Sequence, residues 1–159
     1  MANVYTTFAT EQLAALSDGS ERPTLPLNGG NVHTIQVTKT SLTAATADPV
    51  YLVRLPKGAR VLASNCSVDF GSVGASGTLT GKVGYIYDDA SGSSDAYASG
   101  LTLAYSANPS VKQLHGNVGT GGLTPVTFTA PAWVYVTWTS LPTSPAAHTQ
   151  VWTISYTLA

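Results

Sequence analysis

Three aspartates in the stretch YIYDDASGSSDAY come closest, by type and spacing, to a chemical site. Carboxylate oxygens at alternating positions around a glycine can bind Ca²⁺. Asp88, Asp89 and Asp95 fit no EF-hand spacing, however, and no glutamate follows to complete the ion's coordination. Adjacent strand residues point to opposite faces, so Asp88 and Asp89 would not form a glycosidase carboxylate pair. The sequence therefore favours a solvated acidic loop over a metal site.

Other candidates for catalysis are sparse. His33, His115 and His148 form no pair at metal-binding or catalytic spacing. The segment VGTGGL lacks the lysine and the following helix of a phosphate-binding loop, which favours a plain turn. Cys66 is the single cysteine, so neither an intrachain disulfide nor a four-cysteine zinc site can form. The sequence predicts a protein that is not an enzyme, with no catalytic residue, no bound metal and no cofactor.

Exposed aromatic residues are the last chemical signal. In the segment WVYVTWT, alternation places Trp133 and Tyr135 on the face opposite Val134, Val136 and Trp138. A flat aromatic pair can stack on a sugar ring or anchor a protein partner. The alternative is that these rings fill the core, which is favoured because large rings usually lie inside. The pair is therefore a candidate aromatic binding face.

Charge is scarce along the whole chain. Of 159 residues, 7 are Lys or Arg and 8 are Asp or Glu. Nucleic-acid binding is excluded as the main activity, because neutralising phosphates requires clustered Lys and Arg. No signal-like N-terminus and no run of about 18 apolar residues is present, so no membrane partner is expected. No charged residue follows Lys112, and we expect part of this neutral surface to be covered by another subunit rather than solvated.

Composition and periodicity predict strands rather than helices. Thr and Ser together number 38, and strand-forming residues are frequent. Apolar and polar residues alternate over eight segments: 33–38, 50–55, 59–70, 78–87, 101–105, 126–129, 133–139 and 152–158. Long connections between short strands suit Greek-key crossovers. We therefore predict a single antiparallel β-sandwich over residues 32–159, jelly-roll-like and with about eight strands.

Residues 1–31 differ from the rest of the chain. Prolines and glycines in SDGSERPTLPLNGGN exclude a helix or strand interior there. We predict an extended N-terminal arm with one short helix at residues 10–17. Its apolar side chains are the expected contacts with another subunit or with a capsid: Tyr5, Phe8, Leu13, Leu16, Leu25 and Leu27.

The segment ADPVYLVRLPKGARVLAS, residues 47–64, resembles small structural proteins of tailed bacteriophages that lie on the capsid as decoration, cement or head-fibre-base proteins. The likeness consists of an arm, a Thr-rich first strand, an apolar strand leading into LPKGARV, and an aromatic C-terminal strand. Pro56 ends a strand and Gly58 permits the turn, so this motif marks a fold rather than an active site. Many of those relatives carry an acidic loop that runs into an Asp-Arg pair, whereas DDASGSSDAY has no arginine.

The resemblance implies a non-enzymatic virion protein, made in the cytoplasm of a bacterial host and placed on the capsid surface. We expect a homo-oligomer, specifically a trimer, whose partner is the major capsid protein or another virion protein. Neither nucleic acid nor membrane is an expected partner. The alternative function is a carbohydrate- or receptor-binding module of a phage fibre or tail, which would use Trp133 and Tyr135 as an open platform.

Overall fold

The computed structural model of the chain describes residues 4–5, 32–42, 48–114 and 126–158. Within these ranges the chain forms β1 (Val4–Tyr5), β2 (His33–Leu42), β3 (Pro49–Leu55), β4 (Ala59–Val61), β5 (Ser67–Phe70), β6 (Thr78–Tyr87), β7 (Gly92–Ala104), β8 (Ser110–Gln113), β9 (Ala132–Ser140) and β10 (His148–Leu158). A 3-10 turn at Ala63–Asn65 lies between β4 and β5. In this part of the chain, no helix has the length and apolar character needed to span a membrane.

The strands pair as nested hairpins. β6 pairs with β7, β5 with β8, β3 with β9 and β2 with β10, all antiparallel. Successive pairs alternate between two sheets, whose strand orders are β1-β3-β9-β6-β7 and β2-β10-β5-β8. Eight strands rolled into two sheets in this way form a jelly roll. The predicted all-β, jelly-roll-like sandwich is confirmed.

The predicted strand 59–70 is divided in two. β4 pairs with residues 156–158 of β10, and β5 pairs with residues 150–153. Cys66 lies in the gap between them, where its Sγ accepts the Ser155 N–H at 3.4 Å and donates to the Leu62 carbonyl at 3.2 Å. Burial raises the pKa of the Cys66 thiol to about 11. The cysteine therefore completes the hydrogen bonding where the ladder is interrupted.

Three other boundaries differ from the sequence prediction. β7 begins at Gly92 rather than at residue 101, and β8 was not predicted, because SVKQ is too short and polar to show alternation. Segment 126–129 makes a single bridge, Arg60↔Thr127, instead of a full strand. Two backbone hydrogen bonds between Phe128 and the 58–59 turn hold that segment in place.

The core fills the space between the inner faces of the two sheets. Its largest fully buried side chains include Trp138 of β9 and Trp152 of β10, whose rings pack across the sandwich at 6.4 Å. Toward the other end of the strands, Phe128 packs on Tyr85 at 5.2 Å and on Tyr87 at 6.0 Å. Tyr97 lies 6.2 Å from Tyr85 and is 3% exposed. Aromatic rings therefore pack toward both ends of the core.

The two ends of the sandwich differ in charge. One end, which we call the uncharged end, is formed by the loops 71–77, 105–109 and 141–147, and none of these loops contains Asp, Glu, Lys or Arg. The opposite end, which we call the charged end, carries the turns at 56–58 and 88–91 with Lys57, Asp88 and Asp89. Antiparallel pairing fixes the end at which each loop lies, and the sequences of the loops set the charge of that end.

Candidate interaction surfaces

The candidate aromatic binding face lies on the outside of the sheet that contains β9. Val134, Val136 and Trp138 are fully buried in the core, and Trp133 and Tyr135 alternate with them on the other face. Pairing with β3 places Tyr135 opposite Tyr51. These positions follow from strand periodicity alone.

Tyr51 packs against both residues of this face. Its ring centroid lies 5.6 Å from that of Trp133, edge-on, and 6.0 Å from that of Tyr135. Trp133 is only 8% exposed, and Tyr135 is half-buried. Little area of the indole is therefore free to stack on a ligand ring, and the aromatic binding face stays a prediction.

An ion pair bridges the same face. Arg54 Nη2 lies 2.6 Å from Asp88 Oδ2, and the two side chains are 17% and 63% exposed. Arg54 belongs to β3 and Asp88 follows β6, while β9 lies between those strands with Trp133 paired to Arg54. The pair therefore crosses β9 on its outer side, close to Trp133. An arginine thus does reach the acidic loop, although it comes from another strand.

A bulge of β7 borders Tyr135. Between the pairs Val83↔Ala98 and Tyr85↔Ser93, β6 has one residue, Gly84, and β7 has the four residues 94–97. A Cβ on Gly84 would lie 1.9 Å from the Ser93 carbonyl oxygen, so only glycine fits. Burial raises the pKa of Tyr135, and electrostatic repulsion from the nearby Tyr51 and Asp95 raises it further.

The carboxylates of Asp89 and Asp95 in the acidic loop accept hydrogen bonds from nearby serines. Asp89 accepts hydrogen bonds from the backbone N–H of Ser91 at 2.8 Å and from its hydroxyl, and these bonds lower the pKa of Asp89. Asp95 accepts from Ser93 Oγ at 3.1 Å and lies 4.0 Å from Lys82 Nζ. Across the described ranges, no group of three or more His, Cys, Asp or Glu side chains is placed to hold a metal ion.

His33 and His148 pack or form hydrogen bonds within the sandwich, and His115 lies outside the described residues. His33 packs on the Tyr156 ring at 5.3 Å. His148 begins a polar chain along the inner face of β10, in which Gln150 Nε2 lies 2.8 Å from His148 Nε2. Trp152 Nε1 donates to Gln150 Oε1 at 3.1 Å. Gln150 is fully buried, so its amide joins the two rings within the core.

This polar chain fixes the hydrogen positions on His148. Because the Gln150 oxygen accepts from Trp152, the Gln150 nitrogen must donate, and His148 Nε2 must accept. His148 Nδ1 then carries the hydrogen and donates to the Ala146 carbonyl at 3.0 Å. Each side chain of this buried polar chain has a hydrogen-bond partner, as is typical of polar groups that stabilise a core.

The arm lies almost entirely outside the described residues. Its residues Phe8, Leu13, Leu16, Leu25 and Leu27 and the predicted helix 10–17 are all in that part. The backbone of Val4–Tyr5 is described and adds a parallel strand to β3, with Val4 opposite Val50 and Tyr5 opposite Tyr51. The arm contacts through these side chains stay a prediction.

The outer face of the other sheet is broad and mostly uncharged, with Asp69 of β5 and Arg60 of β4 among its few charged residues. Its exposed positions on β2 are Thr34, Gln36, Thr38 and Thr40. Across the sheet, one row joins Thr38 to Val151 and Asp69, and ends at Val111, which is 61% exposed. β2 and β8 are the edges of this sheet within the described ranges. Such edges present backbone groups with which another chain can pair.

The uncharged end is a surface that sequence reasoning missed. Its loops are far apart in the sequence and meet only through the strand order. Ala75 N donates to the Ser144 carbonyl at 3.3 Å, and Ala146 N donates to the Val73 carbonyl at 3.1 Å. Tyr105 is 50% exposed and Leu141 38%. The sequence shows that these loops lack charged residues, but it does not show that the loops lie together at one end.

Comparison with known proteins identifies the fold. No protein-family model and no curated protein sequence matches the chain. A chain from the capsid of Ralstonia phage GP4 matches over 99% of both chains, with a TM-score of 0.67 and 17% identity. The fold is one found in a phage capsid. A chain from the cyanophage Pam1 capsid asymmetric unit covers 89% of this chain and 96% of its own length, with a TM-score of 0.48 and 19% identity. The expected resemblance to capsid-related phage proteins is confirmed at the level of the fold.

Proposed function

We propose that this chain is a non-enzymatic structural protein of a phage virion, which binds the outside of the capsid as a homo-oligomer and decorates or stabilises it. The observation that carries the proposal is the fold shared over 99% of both chains with a chain of the GP4 phage capsid. The partner is the major capsid protein or another virion protein. The chain is made in the cytoplasm of the bacterial host, and it needs neither nucleic acid nor membrane.

The outer face of the sheet β2-β10-β5-β8 supports a role in contacts between copies. Thr and Gln side chains on β2 can hydrogen-bond across an interface without the desolvation cost of a buried charge. β2 and β8, which are the edges of this sheet within the described ranges, can add backbone donors and acceptors to the same contact. A cyclic oligomer, expected to be a trimer, would use these sides of the subunit. Its mass in dilute solution, measured by light scattering, tests this part of the proposal.

We expect the arm to attach the chain to a neighbour. Val4–Tyr5 pairs with β3 of its own chain, and the proposal is that the rest of the arm extends from this edge to another subunit or to the capsid. Each apolar arm side chain buried in such a contact contributes roughly 1.5–3 kcal/mol before the entropy of ordering is subtracted. We expect deletion of residues 1–31 to weaken subunit or capsid association and to leave the β domain folded.

The direct test uses particles of the source phage produced without this chain. The purified full chain should bind them, and electron microscopy should show added density on the capsid surface. The chain lacking residues 1–31 should bind more weakly while its thermal unfolding remains cooperative. Equal binding by the two proteins would exclude the role of the arm, and no binding by the full chain would exclude the proposed function.

A sugar-binding role has less support. It needs an open aromatic platform, and Trp133 is 8% exposed beneath the Arg54–Asp88 pair. Specific binding on a glycan array that is lost in Tyr135→Ala would favour the carbohydrate-binding alternative instead.

A further inference from the structure

The polar chain that begins at His148 lies beneath the loops of the uncharged end. His148 follows loop 141–147, and its Nδ1–H donates to the Ala146 carbonyl of that loop at 3.0 Å. The Ala146 N–H in turn donates to the Val73 carbonyl at 3.1 Å, which joins the same residue to loop 71–77. Histidine is the side chain that changes its charge between about pH 5 and 8.

We propose that the polar chain is a pH-sensitive switch, in which protonation of His148 breaks the hydrogen bonds of the chain and releases loop 141–147 from loop 71–77. The proposal is independent of the proposed function, because it concerns a property of the folded domain. It gives the uncharged end a response to acid, although the three loops there contain no Asp, Glu, Lys or Arg.

Each donor of the polar chain faces an acceptor only while His148 is neutral. Gln150 Oε1 accepts from Trp152 Nε1 at 3.1 Å, and Gln150 Nε2 donates to His148 Nε2 at 2.8 Å. Protonation puts a hydrogen on His148 Nε2, so that two donors face each other. Turning the Gln150 amide over satisfies the histidine but leaves Trp152 Nε1 facing an N–H donor. The single amide oxygen cannot face both rings, so protonation leaves one buried donor without an acceptor.

Burial makes this mismatch costly and gives His148 one way to relieve it. The other two side chains of the polar chain are fully buried, and His148 is 8% exposed. His148 lies between the exposed residues Ala147 and Thr149, so its ring is close to solvent. A protonated ring that turns toward water gains hydration, and it gives up the bond from its Nδ1–H to the Ala146 carbonyl. Loss of that bond frees the loop from the ring.

The charged residues around His148 do not replace the lost bonds. Among the described residues, no carboxylate forms an ion pair with His148. Pairing places the half-buried Lys39 opposite Gln150, on the inner side of β2 together with the buried Val37. Like charges repel, so Lys39 disfavours an imidazolium that stays in place. The other titratable residues on the described elements of this end lie before β3, on the outer sides of β5 and β6, or at the exposed β8 and loop 105–109: Asp48, Asp69, Lys82, Lys112 and Tyr105.

Acid should therefore destabilise the fold through His148. The unfolded chain leaves this histidine free to take up a proton, whereas the hydrogen bonds of the folded chain need its neutral form. Between about pH 7.5 and 5.5 the unfolded state then binds more protons than the folded state, and stability falls as the pH falls. At about pH 5.5 an unfolded histidine is protonated about ten times more often than it is neutral, which sets the upper limit of the effect.

Urea denaturation of the full chain at about pH 7.5 and 5.5 measures this response. We expect the unfolding equilibrium constant of the unaltered chain to rise between these values about three- to tenfold more than that of His148→Gln, whose amide oxygen can accept from Gln150 at both. His33→Gln makes the same substitution at the opposite end of the sandwich and should keep the difference. Equal pH dependence of the unaltered chain and His148→Gln would overturn the proposal.

Nuclear magnetic resonance of the unaltered chain tests the switch without a variant. As His148 takes up its proton, the indole N–H resonance of Trp152 should shift with it, whereas that of Trp133 on the outer face of β9 should not. Over the same range the Ala146 N–H should lose protection from hydrogen exchange by about threefold or more, while the centre of β10 stays protected.

Three results of that titration would contradict the proposal. Protonation of His148 without a change at Trp152 would mean that the polar chain does not break. An unchanged Ala146 N–H would mean that the loop is not released. A His148 that stays neutral until the whole domain unfolds would mean that the folded domain contains no switch.

Discussion

The two ends of this jelly roll are stabilised by different interactions. At the uncharged end, loops are joined by backbone hydrogen bonds, and a buried chain of His148, Gln150 and Trp152 lies beneath them. At the charged end, an ion pair links the mostly buried Arg54 to the exposed Asp88, and the buried hydroxyl of Tyr97 has no hydrogen-bond partner within the described residues. Each end holds a buried group without a partner, because Trp138 Nε1, next to Trp152, also has none among the described residues. The two ends therefore differ in charge and in how their loops are joined.

The largest effect is expected from breaking the buried polar chain. Gln150→Leu keeps the side-chain size but leaves Trp152 Nε1 and His148 Nε2 without their partner. We expect the free energy of unfolding to fall by about 3 kcal/mol, because an unsatisfied buried group costs about 1–3 kcal/mol. Urea denaturation measures the change. Thr149→Ala, an exposed neighbour on the same strand, should alter the stability by less than about 0.5 kcal/mol. Equal effects of both variants would show that the stability of the fold does not depend on the hydrogen bonds among His148, Gln150 and Trp152.

An effect of opposite sign is expected from Tyr97. Its hydroxyl is buried without a partner among the described residues, and burial raises its pKa. Tyr97→Phe removes that group and keeps the ring against Tyr85, so we expect the melting temperature to rise, with a gain of about 1 kcal/mol. Tyr87→Phe serves as the comparison, because the Tyr87 hydroxyl accepts the Thr129 N–H at 3.3 Å and its loss should not stabilise. A lower melting temperature for Tyr97→Phe would mean that the hydroxyl is satisfied by a bound water.

The smallest effect is expected from the ion pair between Arg54 and Asp88, whose carboxylate is exposed. Asp88→Asn should lower the stability by no more than about 1 kcal/mol, and the loss should shrink as salt is added. Because the pair lies beside Trp133, the variant should also make tryptophan fluorescence more accessible to acrylamide. Lys82→Gln, which removes a partner 4.0 Å from Asp95, is the matched control and should leave the quenching unchanged. Unchanged quenching in Asp88→Asn would mean that the pair does not cover the indole.

The sequence predicts which face of its own strand each residue takes, but not which strands lie next to one another. Alternation placed Trp133 and Tyr135 outside and Trp138 and Trp152 inside, since a strand's period decides which face a residue takes. The burial of Trp133 depends on Tyr51 and on an arginine two strands away from Asp88, and these contacts follow from strand order. The uncharged end depends on strand order in the same way. The break at Cys66 escaped prediction because its apolar pattern continues through both β4 and β5.

The nested pairing has a consequence for biosynthesis. β10 lies at the centre of its sheet, with β2 on one side and β4 and β5 on the other, yet it follows all of them along the chain. Contacts such as the one between Thr34 and Ser155 join residues 121 positions apart, and pairing of this kind is slow to form. Until β10 leaves the ribosome, the second sheet has only β5 and β8 to pair with each other. A nascent chain would therefore complete its second sheet only after its synthesis has passed Leu158.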